Sequence, residues 1–371
     1  MTRARARTLS QHKLTDIIPA RLLQRPWDAD DELKHFVNFL VRDRHSIMRI
    51  IRNSDHFRDV FNAAVQEQHD NPASDNAHRI QASGTAPHRF DSVLDPLHRL
   101  VLFFDSLIFT ATRIYLMRRW ETESADAAAF LKFIAGPTGA ARLLLVAMMC
   151  DGGDECLRFL RFWDGDMYDP ATIGKLIRAF LSKLSFLFIK GKCLTLGCTR
   201  RMLTLLGRVR VLTLPGMDAL TIGASDGIPA ATVKACMDKM QAWLVLVVGG
   251  LQAEFPSWEI LQSMQVFDIT SQGANTADLL TRIANTFHLD ADALIEQYAR
   301  AVPTAHSALK RRAAESNFEA WRVALAHDND TAELRNALVR YGVFIGCSTS
   351  GVERSHHDAN WPLTLFMVLS V

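Results

Sequence analysis

Leu33, Phe36, Val37 and Leu40 recur at i, i+3, i+4 and i+7, the stripe by which an amphipathic helix faces a core. Ile47, Ile50, Ile51, Phe57, Val60 and Phe61 continue that pattern, with Ser54 or Asp55 placed to break or re-cap the helix between them. Gln66 to Pro87 is polar, carries Asn71-Pro72, Gly84 and Pro87, and reads as an exposed loop. From Ser92 to about Met264 nearly every segment has helical periodicity. Leu100, Phe103, Phe104, Leu107 and Ile108 make a broad apolar face, and Phe130 to Ile134, Leu143 to Met149 and Leu157 to Trp163 read as short apolar helices. Gly136-Pro137, Asp151-Gly152-Gly153 and Asp164-Gly165-Asp166 are the expected breaks. Further helices are expected over Ile173 to Ile189, Val233 to Phe255, Ala277 to Phe287, Asp290 to Ala301, Glu315 to Leu325 and Thr331 to Tyr341.

Composition narrows this picture only slightly. The 371 residues are 49% hydrophobic and 22% charged, enough for a sizeable core. A net charge of +2 does not by itself predict a nucleic-acid partner, but cations cluster at Arg3, Arg5 and Arg7, over Lys190 to Arg210, and at Lys310, Arg311 and Arg312. Lys190 to Arg210 fits an amphipathic helix carrying Arg200, Arg201, Arg208 and Arg210, or a solvated face. Six scattered cysteines without a C-x-x-C pair read as reduced thiols, not a zinc finger. No apolar run reaches the length of a membrane span, so no membrane partner is expected. The Arg-rich start, free of acids until Asp16, suits a basic arm, a nuclear signal or an organelle import sequence; the expected location is nuclear or cytoplasmic, with import as the alternative.

The chemistry-bearing stretch lies near the C-terminus. An apolar run, Leu338 to Ile345, leads into the small-residue patch Gly346 to Gly351, followed by Val352-Glu353-Arg354-Ser355. Ser348 or Ser350 is placed to cap a helix with Glu353 and Arg354 in its first turn, where the helix dipole favours a carboxylate. This stretch resembles the C-terminal region of hAT-superfamily transposases, which reads as a hydrophobic helix, a Ser-rich turn and Ser/Gly-x-Glu-Arg-x-Phe-Ser. His356-His357 stand where the family has Phe-Ser. Upstream, Arg89-Phe90-Asp91-Ser92 is similar to the family's Arg-Trp-x-Ser, with Phe90 in place of Trp. Phe255-Pro256 and Val266-Phe267-Asp268 are similar to the end of its all-helical insertion. The resemblance covers roughly residues 45–360, and its specificity lies in the order of these features.

The resemblance implies that Glu353 is the third acid of an Asp-Asp-Glu metal site. Two divalent ions need three carboxylates. Asp16, Asp28, Asp30, Asp31 and Asp43 are the available partners, and none follows a convincing β-branched strand. The expectation is therefore a transposase-derived, catalytically inactive protein that self-associates and has DNA as a candidate partner. No cofactor is expected, Mg2+ being reserved for the case of an active triad. Two alternatives stand: an active or residual transposase, and a helical scaffold without a nucleic-acid role. A metal on His356-His357-Asp358 is disfavoured, because adjacent histidines rarely aim at one ion. Trp321, Leu338, Phe344 and Ile345 are candidates for apolar dimer contacts, or for ordinary core. The expected fold is mainly α: a helical insertion-type bundle with a remnant of an RNase H-like α/β fold at its C-terminal end. Three segments are expected: a basic arm, helices and polar loop over 1–88, an all-helical insertion-like domain over 89–270, and a dimerisation-like region over 271–371.

Overall fold

The computed structural model describes residues 31–43, 45–68, 91–117, 121–163, 169–254, 258–270, 275–327 and 330–346. These residues are mainly helical, as the periodicity predicts, and they divide into two compact units. Of the described residues, one takes 31–158 together with Ser182–Leu251, and the other takes Phe159–Leu181 and 252–346.

In the first unit, α1 (Asp31–Val37) runs into a π-helical turn, Asn38–Arg42, and buries Phe36, Val37 and Leu40. Ser46 caps α2 (Ile47–Asn53) by accepting from the Arg49 amide at 3.2 Å. Ser54 separates α2 from α3 (Asp55–Gln68), the break its sequence suggests. Next come α4 (Asp91–Leu102), α5 (Phe104–Leu116) and α6 (Glu121–Ile134), with α5 packed on both α3 and α6. Gly136, at φ +69, turns the chain into α7 (Gly136–Trp163).

Helix α7 overturns one expectation. It runs unbroken through Asp151-Gly152-Gly153. Two glycines inside a helix cost about 1 kcal/mol each relative to Ala. Close packing offsets that cost: a methyl at Gly152 would lie 3.0 Å from Trp243 and 3.1 Å from Phe188, and one at Gly153 2.6 Å from Leu94.

A second correction concerns Lys190 to Arg210, which is not one helix. After α8 (Pro170–Phe188) come a 3-10 turn, Lys192–Thr195, and α9 (Gly197–Leu206). Arg208 lies beyond α9, and Arg210 opens β1 (Arg210–Leu212), which pairs antiparallel with β2 (Leu220–Ile222) in the register Arg210↔Ile222, Val211↔Thr221, Leu212↔Leu220. Arg210 reaches Asp105 at 2.5 Å, and the Tyr115 hydroxyl donates to the Pro215 carbonyl at 2.6 Å, fixing the hairpin and its turn. Helix α10 (Ala230–Glu254) completes this unit's elements.

The second unit contains α11 (Trp258–Ser263), a 3-10 turn Met264–Phe267, α12 (Thr276–Phe287), α13 (Ala291–Lys310), α14 (Asn317–His327) and α15 (Ala332–Gly346). His288 ends α12 in the left-handed region, and Asp290 caps α13 through the Asp292 and Ala293 amides. Its core centres on Phe267, edge-on to Trp321 and tilted against Tyr341. Trp321 Nε1 donates to the Phe267 carbonyl at 2.9 Å, and the Tyr298 hydroxyl to the Val266 carbonyl at 2.8 Å. Among the described residues no single helix is long and apolar enough to cross a membrane.

Candidate metal centre

Continuity of α7 puts Cys150 and Asp154 four residues apart on one helical face. Helix α4 brings His98 to that face, and α9 brings Cys198. The donor atoms of His98, Cys150 and Cys198 all lie within 4.8 Å of one another. Asp154 Oδ2 stands 3.4 Å from His98 Nε2, and its side chain is 43% exposed, so it faces the solvent side.

Asp151 fixes the geometry of α9. Its carboxylate accepts from the Cys198 amide at 2.7 Å, the Thr199 amide at 2.9 Å and the Thr199 hydroxyl at 2.6 Å. These bonds satisfy free amides at the α9 N-terminus, and the helix dipole favours the negative charge there. Gly197 makes room for it: φ is +62, and a methyl there would lie 2.2 Å from Asp151 Oδ1. The second residue of α9, Cys198, is thereby held against α7.

The electrostatics are those of a tightly coupled set. Burial alone would lower the His98 pKa, but Asp154 and Cys198 beside it outweigh that and raise it to about 10. The neighbouring Cys150 thiol, against burial and with help from His98, holds Cys198 well below the usual thiol range. Burial, then the charge at Cys198, pushes Cys150 up. Burial also raises Asp151, against the bonds from Thr199 and Cys198. His98 Nε2 is sealed from water, and Asp154 Oδ2 at 3.4 Å is its ion-pair contact, without an aligned hydrogen bond among the described residues. A soft metal ion accepts electron pairs from this donor set, and a thiolate–imidazolium pair is the other chemistry it supports.

The residues singled out from sequence lie elsewhere. Arg89 and Phe90, Ser350, Glu353 and Arg354, and His356-His357-Asp358 fall outside the described residues. Ser92 lies in α4, and Phe344 and Ile345 in the last turn of α15, their side chains not described. Trp321 is 1% and Leu338 2% exposed, both inside the second unit's own core, so neither presents an apolar surface to a partner. Of the candidate acids, Asp31 begins α1 and Asp43 follows the π-helical turn. The cysteine cluster was missed because reading Asp151-Gly152-Gly153 as a break separates Cys150 from Asp154. Comparison with known protein families, curated proteins and solved structures finds no match to this chain.

Proposed function

We propose that the chain is a transposase-derived, catalytically inactive helical protein that acts through self-association, with DNA as a further partner. In this reading its C-terminal end keeps a remnant of an RNase H-like α/β fold. The observation that carries self-association is the apolar surface of α10, where Val245 is 70% and Leu246 40% exposed. Large aliphatic side chains side by side in water favour a covering surface. Support for the ancestry comes from Val266-Phe267-Asp268, one of the ordered family-like features, around which the second unit's core is built. Support for a nucleic-acid role comes from the cations at 190–210: Lys190, Lys192, Arg200 and Arg208 are exposed. Arg201 instead donates to the Val101 and Leu102 carbonyls.

Light scattering on a size-exclusion column tests the reading. The expected result is a dimer that Val245→Glu with Leu246→Glu converts to monomer. A wild-type monomer at all concentrations overturns it. Phe344→Ala tests whether the end of α15 contributes. Binding to duplex DNA should weaken steeply with salt, as phosphate contacts require, and salt-insensitive binding would favour a scaffold without a nucleic-acid role. Mg2+-dependent strand transfer would favour an active transposase.

A further inference from the structure

We propose that His98, Cys150, Cys198 and Asp154 form a four-coordinate zinc site that ties α4, α7 and α9 together. The site is independent of the function proposed above. Two sulfurs, one imidazole nitrogen and one carboxylate oxygen are donors that Zn2+ takes, whereas Mg2+ and Ca2+ take oxygen.

The distances fit. Zinc bonds of about 2.0–2.3 Å to nitrogen, oxygen and sulfur give tetrahedral edges of about 3.3–3.8 Å. The donor atoms of His98, Cys150 and Cys198 lie within 4.8 Å of one another, so a contraction of about 1 Å closes these three on an ion, and Asp154 Oδ2, 3.4 Å from His98 Nε2, is the neighbouring carboxylate that a side-chain rotation brings in as the fourth. All four donors sit on helices. Cys150 and Asp154 share one face of α7, His98 lies on α4, and Cys198 is clamped at the start of α9 by Asp151. Asp151 is thus a positioning residue, holding the backbone that carries a ligand.

Zinc accounts for two features that other chemistries leave unexplained. A Cys198–His98 nucleophile uses Cys150, wholly buried, only as a neighbour to Cys198, whereas zinc uses its sulfur directly. A Cys150–Cys198 disulfide leaves His98 Nε2 buried with Asp154 Oδ2 at 3.4 Å and no aligned hydrogen bond among the described residues. Zinc takes up both the second thiol and the buried imidazole nitrogen, and the solvent-facing Asp154 marks the side from which the ion enters. Binding releases to solvent the proton of the Cys150 thiol and the one that Cys198 and His98 hold between them, and no electrons are transferred.

The test uses the full chain, purified reduced and without chelator. Mass spectrometric metal analysis should find one zinc per chain. Replacing zinc by Co2+ should give the intense visible absorption of a tetrahedral ion and a sulfur-to-cobalt band in the near ultraviolet. Cys150→Ser and Cys198→Ser should lose that band, while Cys193→Ser, at a buried cysteine outside the cluster, should keep it. Asp154→Asn, on a solvent-facing side chain, should weaken cobalt binding by about 10–100-fold while the chain stays folded. It keeps the question decidable if the cysteine variants do not fold. A folded, reduced wild-type chain that retains no metal and gives no sulfur-to-cobalt band overturns the site. So does a cobalt spectrum unchanged in Cys198→Ser. Ready formation of a Cys150–Cys198 disulfide with no cobalt band also overturns it and assigns a redox pair.

Discussion

Asp169, Asn317, Asp268 and Tyr341 form a polar knot in one unit, as His98, Cys150, Cys198 and Asp154 do in the other. The first closes on itself. Asn317 Nδ2 donates to Asp169 Oδ2 at 2.5 Å and reaches Asp268 Oδ1 at 3.5 Å, while its Oδ1 accepts from the Ile269 amide at 3.1 Å. The Tyr341 hydroxyl donates to Asp169 Oδ1, and Thr270 donates to Asp268 Oδ1 through its amide and hydroxyl. Each carboxylate meets donors supplied by the fold. The second knot ends on a buried nitrogen that has an ion-pair contact, Asp154 Oδ2 at 3.4 Å, but no aligned hydrogen bond among the described residues. A satisfied network needs nothing further to be stable, whereas an unsatisfied donor set is stable once something joins it. The contrast separates a structural cluster from a ligand site without any appeal to motif.

The strongest way to break the contrast is to remove metal. With zinc about 1,000-fold above its dissociation constant, binding stabilises the fold by about 4 kcal/mol. Chelation should therefore lower the melting temperature of the wild type, and His98→Phe should abolish that sensitivity. Asn317→Ala should cost about 3 kcal/mol by stripping donors from two carboxylates. Urea titration should find the same loss with and without chelator; a chelator-dependent loss would erase the distinction. Gly197→Ala should cost about 2 kcal/mol, from the positive φ and the collision with Asp151, and should weaken cobalt binding as well. The smallest effect is expected at alkaline pH. Burial, with Asp268 nearby, raises Tyr298 to about 12, so the folded state keeps that proton after the unfolded chain has lost it. Stability contributed by Tyr298 is complete below pH 10 and falls as pH rises from 10 towards 12. Tyr298→Phe should flatten this part of the pH–stability curve, read by denaturant unfolding.

Much of the helical architecture is legible in residue spacing. The stripe Leu33, Phe36, Val37, Leu40 does become α1 and its π-helical extension, with Phe36, Val37 and Leu40 buried, and Ser54 does part α2 from α3. Spacing misleads where tertiary packing reverses a local preference. Gly152 and Gly153 look like a break, and neighbours that need their missing side chains keep them helical. The hairpin at 210–222 was hidden by its short strands, although Leu214-Pro215-Gly216 punctuates it. The metal centre draws on residues 98, 150 and 198, whose separation matches no local motif. Its one local trace, Cys150 and Asp154 at i and i+4, becomes visible only when the helix is taken as continuous.

Asp151 also bears on the order of assembly. Helix α9 has Leu196 at its cap position, with no side-chain cap of its own, and borrows a carboxylate from 47 residues earlier. Asp151 precedes Gly197 in the chain, so the capping carboxylate is synthesised before the helix it caps. A circular permutant opened between the two helices, which delivers α9 first, should leave that segment frayed until Asp151 arrives. Cys198, the last of the cluster in chain order, thus sits in a first turn whose cap comes from the helix that carries Cys150.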